Sequence, residues 1–538
     1  MAPPREPLAA ETGFSASSTA TYFAASKDPA TSYMSDDHKL CQETEGVIDD
    51  IHINEPHYSK PLRSVPFVTW EQVEERTAAG EMLIVAYDKV YKIDKWAKCH
   101  PGGDIVLKHF AGKDATDEAR SYHPDWVFTD LMTKFLVARI SPKSSRQRLS
   151  ETKMRFDKGE TQFDHNEITR DYRRLEQKMR DTGMYDTNYM DYLPEVVRYL
   201  LFAFGMIYFM FLATPAPTWL GVAASAFCTG LLWQQVAFAA HDAGHSGITH
   251  DRKIDHLIGI FLGDAVGGLS AGWWKSSHNV HHALPNHPEH DPDIQHLPFY
   301  AIDTVFFKNV YSTYYERVLT FDTFSKIMIS IQHITYYPIL MFGRMNMYRL
   351  GFLHLADTSR TTLFRGVEIA GMVTFWIWFS YMLSFLPTWS MRLGFVAMSH
   401  TVSAILHVQI TLSHFAMPVD ATDADECFAV RQLRTTMDVD CPTWLDWFHG
   451  GLQYQLPHHL YPRAPRHKLK QLRKMVEDEI CAKHPGLKVA VFTFLDGNKF
   501  VLNSMKQVAE QVKYIGTEML RHRSKFVPTA GPPTKSNE

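Results

Sequence analysis

Cysteine is scarce in this sequence, and its six residues are scattered along the chain. No two of them form a CxxC pair, so neither a disulfide framework nor a thiolate metal site is predicted. An excess of one charge is also lacking, because 55 Lys and Arg stand against 59 Asp and Glu in 538 residues. This balance gives no indication of a nucleic-acid partner. A glycine-rich dinucleotide motif is absent too, so a nicotinamide cofactor would have to be bound by another protein.

The N-terminus lacks the features of a secretory signal. Residues 1–62 are rich in Ala, Ser, Thr, Asp and Glu, and no basic start is followed by an apolar stretch. We expect a disordered tail there, and about fifteen C-terminal residues have the same character. The length favours two or more folded units. The expected division is a soluble domain at residues 63–142, a connector at 143–195, a membrane domain at 196–485, and a C-terminal cytosolic segment with its tail at 486–538.

The sequence of the region before the connector, residues 63–142, predicts that it folds as a small soluble α+β domain. Short apolar runs alternate there with helical patches, and residues 82–91 (MLIVAYDKVY) show the β-branched and aromatic alternation of a hairpin. We place the turn of this hairpin at Asp88-Lys89. The connector is strongly charged and includes the basic segment RDYRRLEQKMR, which lies just before the first long apolar run.

Two long stretches predict pairs of membrane-spanning helices. Residues 199–240 contain no charged side chain, which is enough for two spans of roughly 20 residues separated by the turn TPAPTW. Residues 369–391 are also uncharged, and after the turn LPTW residues 393–417 have only histidines as ionisable groups. Both turns place Pro-Thr-Trp at the hairpin tip, where tryptophan suits a membrane interface. Two buried hairpins of a soluble protein are the alternative, which is disfavoured because such helices rarely run this long without charge.

Basic residues flank the open ends of these helical pairs, at residues 170–180 and 463–474. By the positive-inside rule, both termini and the loop at residues 241–365 are expected to face the cytosol. Two further apolar stretches are interrupted, residues 257–274 by Asp264 and residues 324–341 by Pro338 among others. The interruptions favour re-entrant or interfacial segments over complete spans.

Two histidines of the soluble region are placed for a haem. A haem held by two imidazoles needs one histidine on each side of its plane, and His100 and His123 each lie beside a short helical pattern. Gly102 and Gly103 allow a tight turn after His100. Spacing alone favours the alternative, in which two surface histidines merely flank a helical hairpin.

The residues around His100 resemble the haem-binding core of cytochrome b5. The motif HPGG is preceded by VYKI and followed by GKDAT, and the resemblance covers about 75 residues. It implies a haem b with His100 and His123 as axial ligands. Tyr122 and Pro124 bracket the second histidine, which is typical of versions fused to a desaturase rather than of the free carrier.

Three tight histidine clusters follow in the membrane region, namely HDAGH, HNVHH and QLPHH. Their histidines are His241, His245, His278, His281, His282, His458 and His459, and Gln455 opens the third cluster. Residues three or four positions apart share one face of a helix, so clustered histidines can bind one ion together. The fourth predicted span also brings His407 and His414 to the same side of the membrane. Eight or so neutral nitrogens suit a pair of iron ions that bind and activate oxygen.

The remaining histidines of this region are expected to be structural or interfacial. They are His250, His256, His287, His290, His296, His333, His400 and His449.

The three clusters resemble the histidine boxes of the membrane fatty-acid desaturase superfamily, nearly across residues 65–480. Gln455 at the start of the third box is similar to the front-end branch, which carries an N-terminal cytochrome b5 domain. The resemblance implies a di-iron centre held by the seven box histidines, with His414 as the best match for a further ligand and Gln455 close by. It also implies a multi-domain fold, in which a small α+β haem domain precedes an all-α integral membrane domain with four transmembrane helices and a cytosolic histidine-rich cap.

The same resemblance implies the chemistry. Electrons from NADH would pass through a separate cytochrome b5 reductase to the haem and then to the iron site, where O2 is reduced and a lipid chain loses two hydrogens. This places the protein in the endoplasmic reticulum membrane. Several stretches, among them WWKSSHNVHHALPNHPEHD, are similar to fungal sphingolipid Δ8-desaturases. We therefore expect a double bond at carbon 8 of the sphingoid base of a ceramide-type lipid, with Trp273, Trp274 and Lys275 holding the head group.

Three other functions are alternatives to this expectation. A front-end desaturase of fatty acyl chains, of the Δ5 or Δ6 type, would use the same modules. A lipid hydroxylase would too, although its first box is usually HxxxxH. A non-catalytic membrane haem carrier would leave the seven box histidines without a purpose.

Overall fold

The computed structural model describes residues 52–144, 149–152, 161–358, 363–419 and 426–525. All of these belong to one compact unit. Most of the tail expected at residues 1–62, and the last residues of the chain, lie outside the described part. Residues 52–62 are described and pack on the soluble domain, where the Tyr87 hydroxyl donates to Asn54 Oδ1 at 2.8 Å and Lys89 pairs with Glu55 at 2.8 Å.

The soluble domain is built on a four-stranded sheet with helices on its faces, as the α+β prediction required. Its elements are β1 (Phe67–Val68), α1 (Trp70–Ala78), β2 (Leu83–Ala86), β3 (Lys89–Lys92), α2 (Asp104–His109), α3 (Thr116–Tyr122) and β4 (Leu136–Ile140). The strand order is β1-β4-β3-β2, and only the β1–β4 pair is parallel. Apolar side chains of β2, β3 and β4 fill the core because both faces of this sheet are covered.

The predicted hairpin is present, but its turn lies one residue earlier than Asp88-Lys89. Leu83 pairs with Lys92 and Ala86 with Lys89, which leaves Tyr87 and Asp88 as the two turn residues. Both have positive φ, 50° and 61°. Such turns match the twist of the strands that they join. A tyrosine tolerates this conformation here because its side chain is fully buried and hydrogen-bonded.

The segment predicted as a charged connector contains a helix that is packed into the protein. A hairpin of β5 (Leu149–Thr152) and β6 (Thr161–Asp164) leads into α4 (His165–Asp181). The Asp164 side chain caps this helix by accepting from Asn166 N and Glu167 N. Its apolar face is buried in one of the two largest core clusters, which lies in the cap, the part of the chain outside the haem domain and the four membrane spans. The helix is amphipathic, but three charged residues of RDYRRLEQKMR are buried as well, namely Asp171, Arg173 and Glu176.

The first membrane pair is α5 (Leu193–Ile207), extended by a short helical segment on each side, and α6 (Trp219–Gly244). The full first span covers Tyr189–Leu212. At the hairpin tip, Thr218 caps α6 by accepting from Gly221 N at 3.1 Å. Trp219 is exposed, which suits the interfacial position that the Pro-Thr-Trp motif predicts.

A sharply bent pair of helices follows, where a re-entrant or interfacial segment was expected. The helix α7 (Arg252–Gly259) continues into a π-helical stretch, Ile260–Val266, and α8 (Ala271–Ala283) leaves it at an angle of 115°. Two carboxylates satisfy the first amides of α8, because Asp264 accepts from Ala271 N at 3.0 Å and Glu368 accepts from Gly272 N. The bend fixes the direction in which α8 carries the second histidine box.

The cap continues after α8 with a small β-hairpin and three helices. They are β7 (Val310–Ser312), β8 (Arg317–Leu319), α9 (Thr323–Ser330), α10 (Gln332–Leu340) and α11 (Gly343–Ala356). The stretch predicted as interfacial forms α9 and α10, and neither is long enough to cross a bilayer. Phe324, Ile327 and Ile334 point outward from them, an arrangement that suits the surface of a membrane.

The second membrane pair consists of α12 (Arg365–Ser384) and a broken helix, α13 (Trp389–Ser403) with α14 (Ile405–Leu412). Thr388 caps α13 by accepting from Met391 N, in the same way as Thr218 caps α6. Within the described residues, four helices are long and apolar enough to span a membrane. The fourth span covers Trp389–Leu412, so it both begins and ends earlier than the predicted residues 393–417.

The C-terminal part closes the cap over the membrane helices. Its elements are α15 (Phe428–Thr435), β9 (Asp438–Asp440), α16 (Asp446–His449), α17 (Gln455–Leu460), α18 (Leu469–Val476), β10 (Val491–Thr493) and α19 (Phe494–Lys525). The strands β9 and β10 pair in parallel. Every residue of α17 is buried, and Asp438 Oδ1 accepts from Leu456 N at 2.8 Å at its start. The third histidine box is thereby held inside the cap.

Candidate functional site

The three histidine boxes converge at one place, where the last turn of α6, the second half of α8 and the helix α17 meet. His241 and His245 come from α6 and its C-cap, and a further histidine, His414, lies just after α14. The other five are His278, His281, His282, His458 and His459. Seven of these eight imidazoles are buried, and His241 is partly so. The prediction that the boxes converge at one end of the four-helix core is therefore confirmed by the geometry.

The imidazoles divide into two adjoining groups that could each hold a metal ion. The first contains His241, His245, His278, His282 and His458, and the second contains His281, His414 and His459. Within a group, the potential ligand nitrogens all lie within 4.8 Å of one another. The rings of His282 and His459 stack at 4.0 Å across the boundary between the groups. Two neighbouring nitrogen-rich sites match the donor set that suits a pair of iron ions.

Unsatisfied nitrogens show that the site fits a metal. Both ring nitrogens of His245, Nδ1 of His282 and Nε2 of His459 are buried and have no hydrogen-bond partner in the described part of the chain. Buried polar atoms are rarely left in this state unless an ion or water completes them. Burial lowers the pKa of His414, His458 and His459 well below the usual value, so their rings are neutral and free to coordinate.

Neighbouring residues orient the second group. His281 Nδ1 lies 2.9 Å from Asp291 Oδ2, and His459 Nδ1 lies 3.0 Å from Gln432 Oε1. His414 Nδ1 faces the carbonyl of Thr435 at 3.2 Å. When Nδ1 donates to oxygen, Nε2 is left as the ligand atom, and the ring orientation is fixed.

Gln455 and His407 are both near the histidine boxes, but only Gln455 lies against a box residue or His414. Gln455 Nε2 lies 3.3 Å from His414 Nε2, so this residue adjoins the metal site, as expected. His407 faces away, since its Nδ1 lies 3.0 Å from the carbonyl of Leu340 and its ring packs on Gly343. The helix that carries His407 ends at Leu412, so His414 does not continue the helical face on which His407 lies.

The eight histidines predicted to be structural have other surroundings. None belongs to a metal-compatible group found among the described residues. His256 Nε2 lies 3.0 Å from the carbonyl of Leu363, and His296 Nε2 lies 2.8 Å from that of Asp293.

The histidine pair of the soluble domain has the geometry of two axial ligands. The ring centres of His100 and His123 are 6.0 Å apart, and two imidazoles bonded to one iron from opposite sides would be about 6 Å apart. The Nδ1 atoms lie 2.7 Å from the carbonyls of Gly103 and Ala119, which leaves both Nε2 atoms for a metal. Burial lowers the pKa of His123 to about 4, so this ring is neutral. A Cβ at Gly102 would lie 2.9 Å from His100 Cε1, which explains the need for glycine there.

The sequence did not reveal the contacts of Trp274. Its ring lies 4.4 Å from that of His278, 5.2 Å from His241 and 5.4 Å from His245, so it packs on the first histidine group. The acidic pair in HDPDI, Asp291 and Asp293, was also missed as a support for the second box. Two carboxylates nine and eleven residues beyond the end of the second histidine box were the available signal.

Lys275 has a different surrounding from Trp274. It lines a cavity of about 310 Å³ between the loop of His100 and the bent helix pair. Arg252 and Ser276 line the same cavity.

Comparisons with known families agree with both sites. Residues 69–141 match the family described as "Cytochrome b5-like Heme/Steroid binding domain", and residues 217–490 match "Fatty acid desaturase". A cytochrome b5-like haem domain beside a histidine-rich metal site on membrane helices defines a lipid-modifying oxidoreductase of the membrane.

The chain belongs to the fatty acid desaturase family, in the form that carries a fused cytochrome b5 domain. The "Delta 8-(E)-sphingolipid desaturase" of Emericella nidulans is 42% identical over 523 residues, which cover 82% of this chain and 94% of the relative. The protein of the same name from Komagataella phaffii is 38% identical, covering 83% and 94%. The "Delta(8)-fatty-acid desaturase 1" of Arabidopsis thaliana is 33% identical, covering 85% and 96%. The protein is thus an integral membrane desaturase, its cytochrome b5 domain implies a haem, and its histidine groups suggest a di-iron centre.

Proposed function

We propose that this enzyme introduces a trans double bond between carbons 8 and 9 of the sphingoid base of a ceramide-type lipid. The observation that carries the proposal is the 42% identity to a relative named as a Delta 8-(E)-sphingolipid desaturase, across both the haem domain and the membrane domain. The fungal relatives share this name at 34–42% identity.

The proposed ligands follow the two sites. His100 and His123 hold the haem, and the eight imidazoles of the two metal-compatible groups hold two iron ions. The iron pair supplies the power to activate dioxygen. In the balanced reaction, the lipid loses two hydrogen atoms from adjacent carbons, and O2 gains these, two electrons and two protons to give two waters. The electrons come from reduced nicotinamide cofactor through a separate reductase.

Distances within the protein support a reaction at a fixed distance from the polar head group along the lipid chain. Lys275 and His282 are seven residues apart on α8, which is about 10.5 Å along the helix axis. Eight carbons of an extended chain cover roughly 10 Å, a third of the bilayer core. We infer that the polar head group occupies the cavity lined by Lys275, Arg252 and Ser276, which leaves carbon 8 beside the metal site.

The proposed location is the endoplasmic reticulum membrane, with both termini and both sites on the cytosolic side. The haem domain contacts the metal site directly, so the two must share one side of the membrane. The basic segments at residues 170–180 and 463–474 pack in one core cluster with the helix of the third histidine box, and by the positive-inside rule their charge supports a cytosolic assignment of this side.

A fatty acyl substrate is the second candidate. It is favoured by the Arabidopsis thaliana relatives, which are named Delta(8)-fatty-acid desaturases and are 33% and 34% identical to this chain. It would leave the metal site and the electron path unchanged and alter only the head group in the cavity.

Expression in a yeast that lacks sphingolipid 8-desaturation tests the proposal. We expect mass spectrometry of the released long-chain bases to show a new 8-unsaturated base, and a His282→Ala variant at equal expression to give none. Unchanged bases together with new unsaturated fatty acids would refute the sphingolipid assignment and support the acyl candidate.

A further inference from the structure

One aromatic side chain lies between the haem site and the metal site. Tyr122 directly precedes the proposed haem ligand His123, and its ring centre is 6.2 Å from that of His282, at an interplanar angle of 82°. This is the edge-to-face arrangement of two rings in contact. A single residue therefore connects a ligand of one site with a ligand of the other.

The hydroxyl group does not explain why a tyrosine ring is placed here. Tyr122 Oη is buried, yet it has no hydrogen-bond partner among the residues that the structure describes. Buried polar groups are normally paired, so no hydrogen bond within the described residues accounts for the position of this side chain. The ring, rather than a hydrogen bond, is what this position provides.

The contact is held in place by buried ion pairs around α3. Asp117 pairs with Arg173 of α4 at 2.6 Å, and both side chains are largely buried. Glu118 lies 3.7 Å from Arg431 of α15, whose guanidinium also donates to the carbonyl of Ala283, next to His282. The haem domain thus has a fixed position on the membrane domain, and the gap between the sites does not depend on a diffusive encounter.

A second point of approach lies on the other side of the haem site. A Cβ on Gly102 would lie 3.4 Å from Asn279 Nδ2, so the loop of His100 also comes close to α8. Asn279 is an amide side chain rather than a ring, and it is not a member of either histidine group. The Tyr122 side offers the contact that ends on a metal-site imidazole.

We propose that the Tyr122 ring is the electronic contact through which electrons pass from the haem site to the histidine cluster. The inference rests on the proposed function, since it assumes that the fused haem domain supplies the desaturase site. For each electron, the haem is oxidised by one unit and the metal site is reduced by one unit. Two such transfers supply the two electrons of the balanced reaction, and the reductase restores the haem each time. Because tunnelling weakens steeply across empty space, a ring that fills the gap speeds the transfer.

The test uses the full-length protein loaded with haem and iron, in lipid nanodiscs that contain a ceramide. The haem is reduced without oxygen, the sample is mixed with oxygenated buffer, and reoxidation of the haem is followed by its absorbance. The wild type should reoxidise faster with ceramide than without it. Tyr122→Leu should slow the ceramide-dependent phase at least tenfold, and Tyr122→Phe should restore it to within about twofold of wild type. Tyr122→Met, whose flexible side chain fills irregular space, repeats the loss with a different packing.

Two measurements separate electron transfer from damage to the fold. Haem and iron contents are determined for each variant, and rates are expressed per reduced haem in metal-loaded protein. Tyr315→Leu is the matched control, because Tyr315 also packs at the interface with α8 but touches neither histidine site. This control should keep the wild-type rate.

The possible outcomes are distinct. The role of the ring would be overturned if Tyr122→Leu reoxidised its haem at the wild-type rate, or if Tyr122→Phe were as slow as Tyr122→Leu. Either result would leave the proposed function standing. The proposed function would be overturned by two results together: haem reoxidation of the wild type at the same rate with and without ceramide, and unchanged long-chain bases in yeast.

Discussion

Gly244, inside the first histidine box, has almost no room for a side chain. A Cβ added there would lie 1.9 Å from Trp274 Cζ3 and 2.8 Å from two further atoms of the same ring. Carbon atoms in contact are 3.5–4.0 Å apart, so the Gly244→Ala variant must move the ring by roughly 1.6–2 Å. This ring packs on three imidazoles of the first metal group. The displacement therefore reaches the metal site.

The expected magnitude follows from overpacking. Forcing an extra methyl into a packed region costs about 1–3 kcal/mol. If that cost falls on the metal-bound arrangement, the affinity for iron drops roughly 5- to 150-fold, at tenfold per 1.4 kcal/mol. Helix propensity acts the other way but only weakly, because Gly244 is the last residue of α6 and alanine's advantage of about 1 kcal/mol applies to a helix interior. A loss of iron from Gly244→Ala would therefore occur despite a better helix former.

The assay compares Gly244→Ala with Gly259→Ala. A Cβ at Gly259 meets only Ala271 Cβ at 3.7 Å and Ala243 Cβ at 3.9 Å, which are ordinary contacts. Iron per protein is measured by elemental analysis at limiting iron, with haem per protein as the internal reference. We expect Gly259→Ala to keep its iron and product, and Gly244→Ala to lose most of both while its haem remains. Equal iron and product in the two variants would refute the reasoning.

Three further predictions concern the two sites and the topology. His100→Ala or His123→Ala should abolish the low-spin haem spectrum of the full-length protein, and a normal spectrum in both would rule out this ligand pair. His282→Ala or His459→Ala should abolish product by mass spectrometry and lower the iron content, whereas the haem spectrum persists; near-normal activity would remove that residue from the ligand set. In sealed microsomes, added protease should cleave both termini, with the two Pro-Thr-Trp turns protected. Protection of the haem domain would contradict the cytosolic placement.

The spans and the haem motif could be predicted because local patterns decide them. A run of about 20 apolar residues must be buried in lipid or protein whatever surrounds it, and the predicted helix pairs largely coincide with the four candidate spans. The Pro-Thr-Trp turns were predicted for the same reason, although the capping bonds of Thr218 and Thr388 add a role that hydropathy does not show. The hairpin of the haem domain was right in place and wrong by one residue in its turn, because burial of Tyr87 selects the turn residues.

The helix α4 shows where pattern reading fell short. Its charges dominated the composition, whereas its buried face is spread over residues three and four apart, such as Ile168, Tyr172 and Leu175. A charged helix and a solvated connector look alike until the surface that covers the apolar face is known. Here that surface comes from α15 and α17, more than 240 residues later in the chain.

The sequence by itself determined which residues are chemically able to bind metal and which segments are long and apolar enough to span a membrane, because residue chemistry and local hydrophobic length need no partner. The tertiary structure decided how those residues are used. His281 and His282 are adjacent in the chain, yet they point to different metal groups, since successive helix positions are rotated by about 100° and face different neighbours. The same holds for Trp274 on the metal site, His407 turned away from it, and Tyr122 against His282. Contacts of this kind join segments far apart in sequence, and only the packing of the whole chain sets their distances.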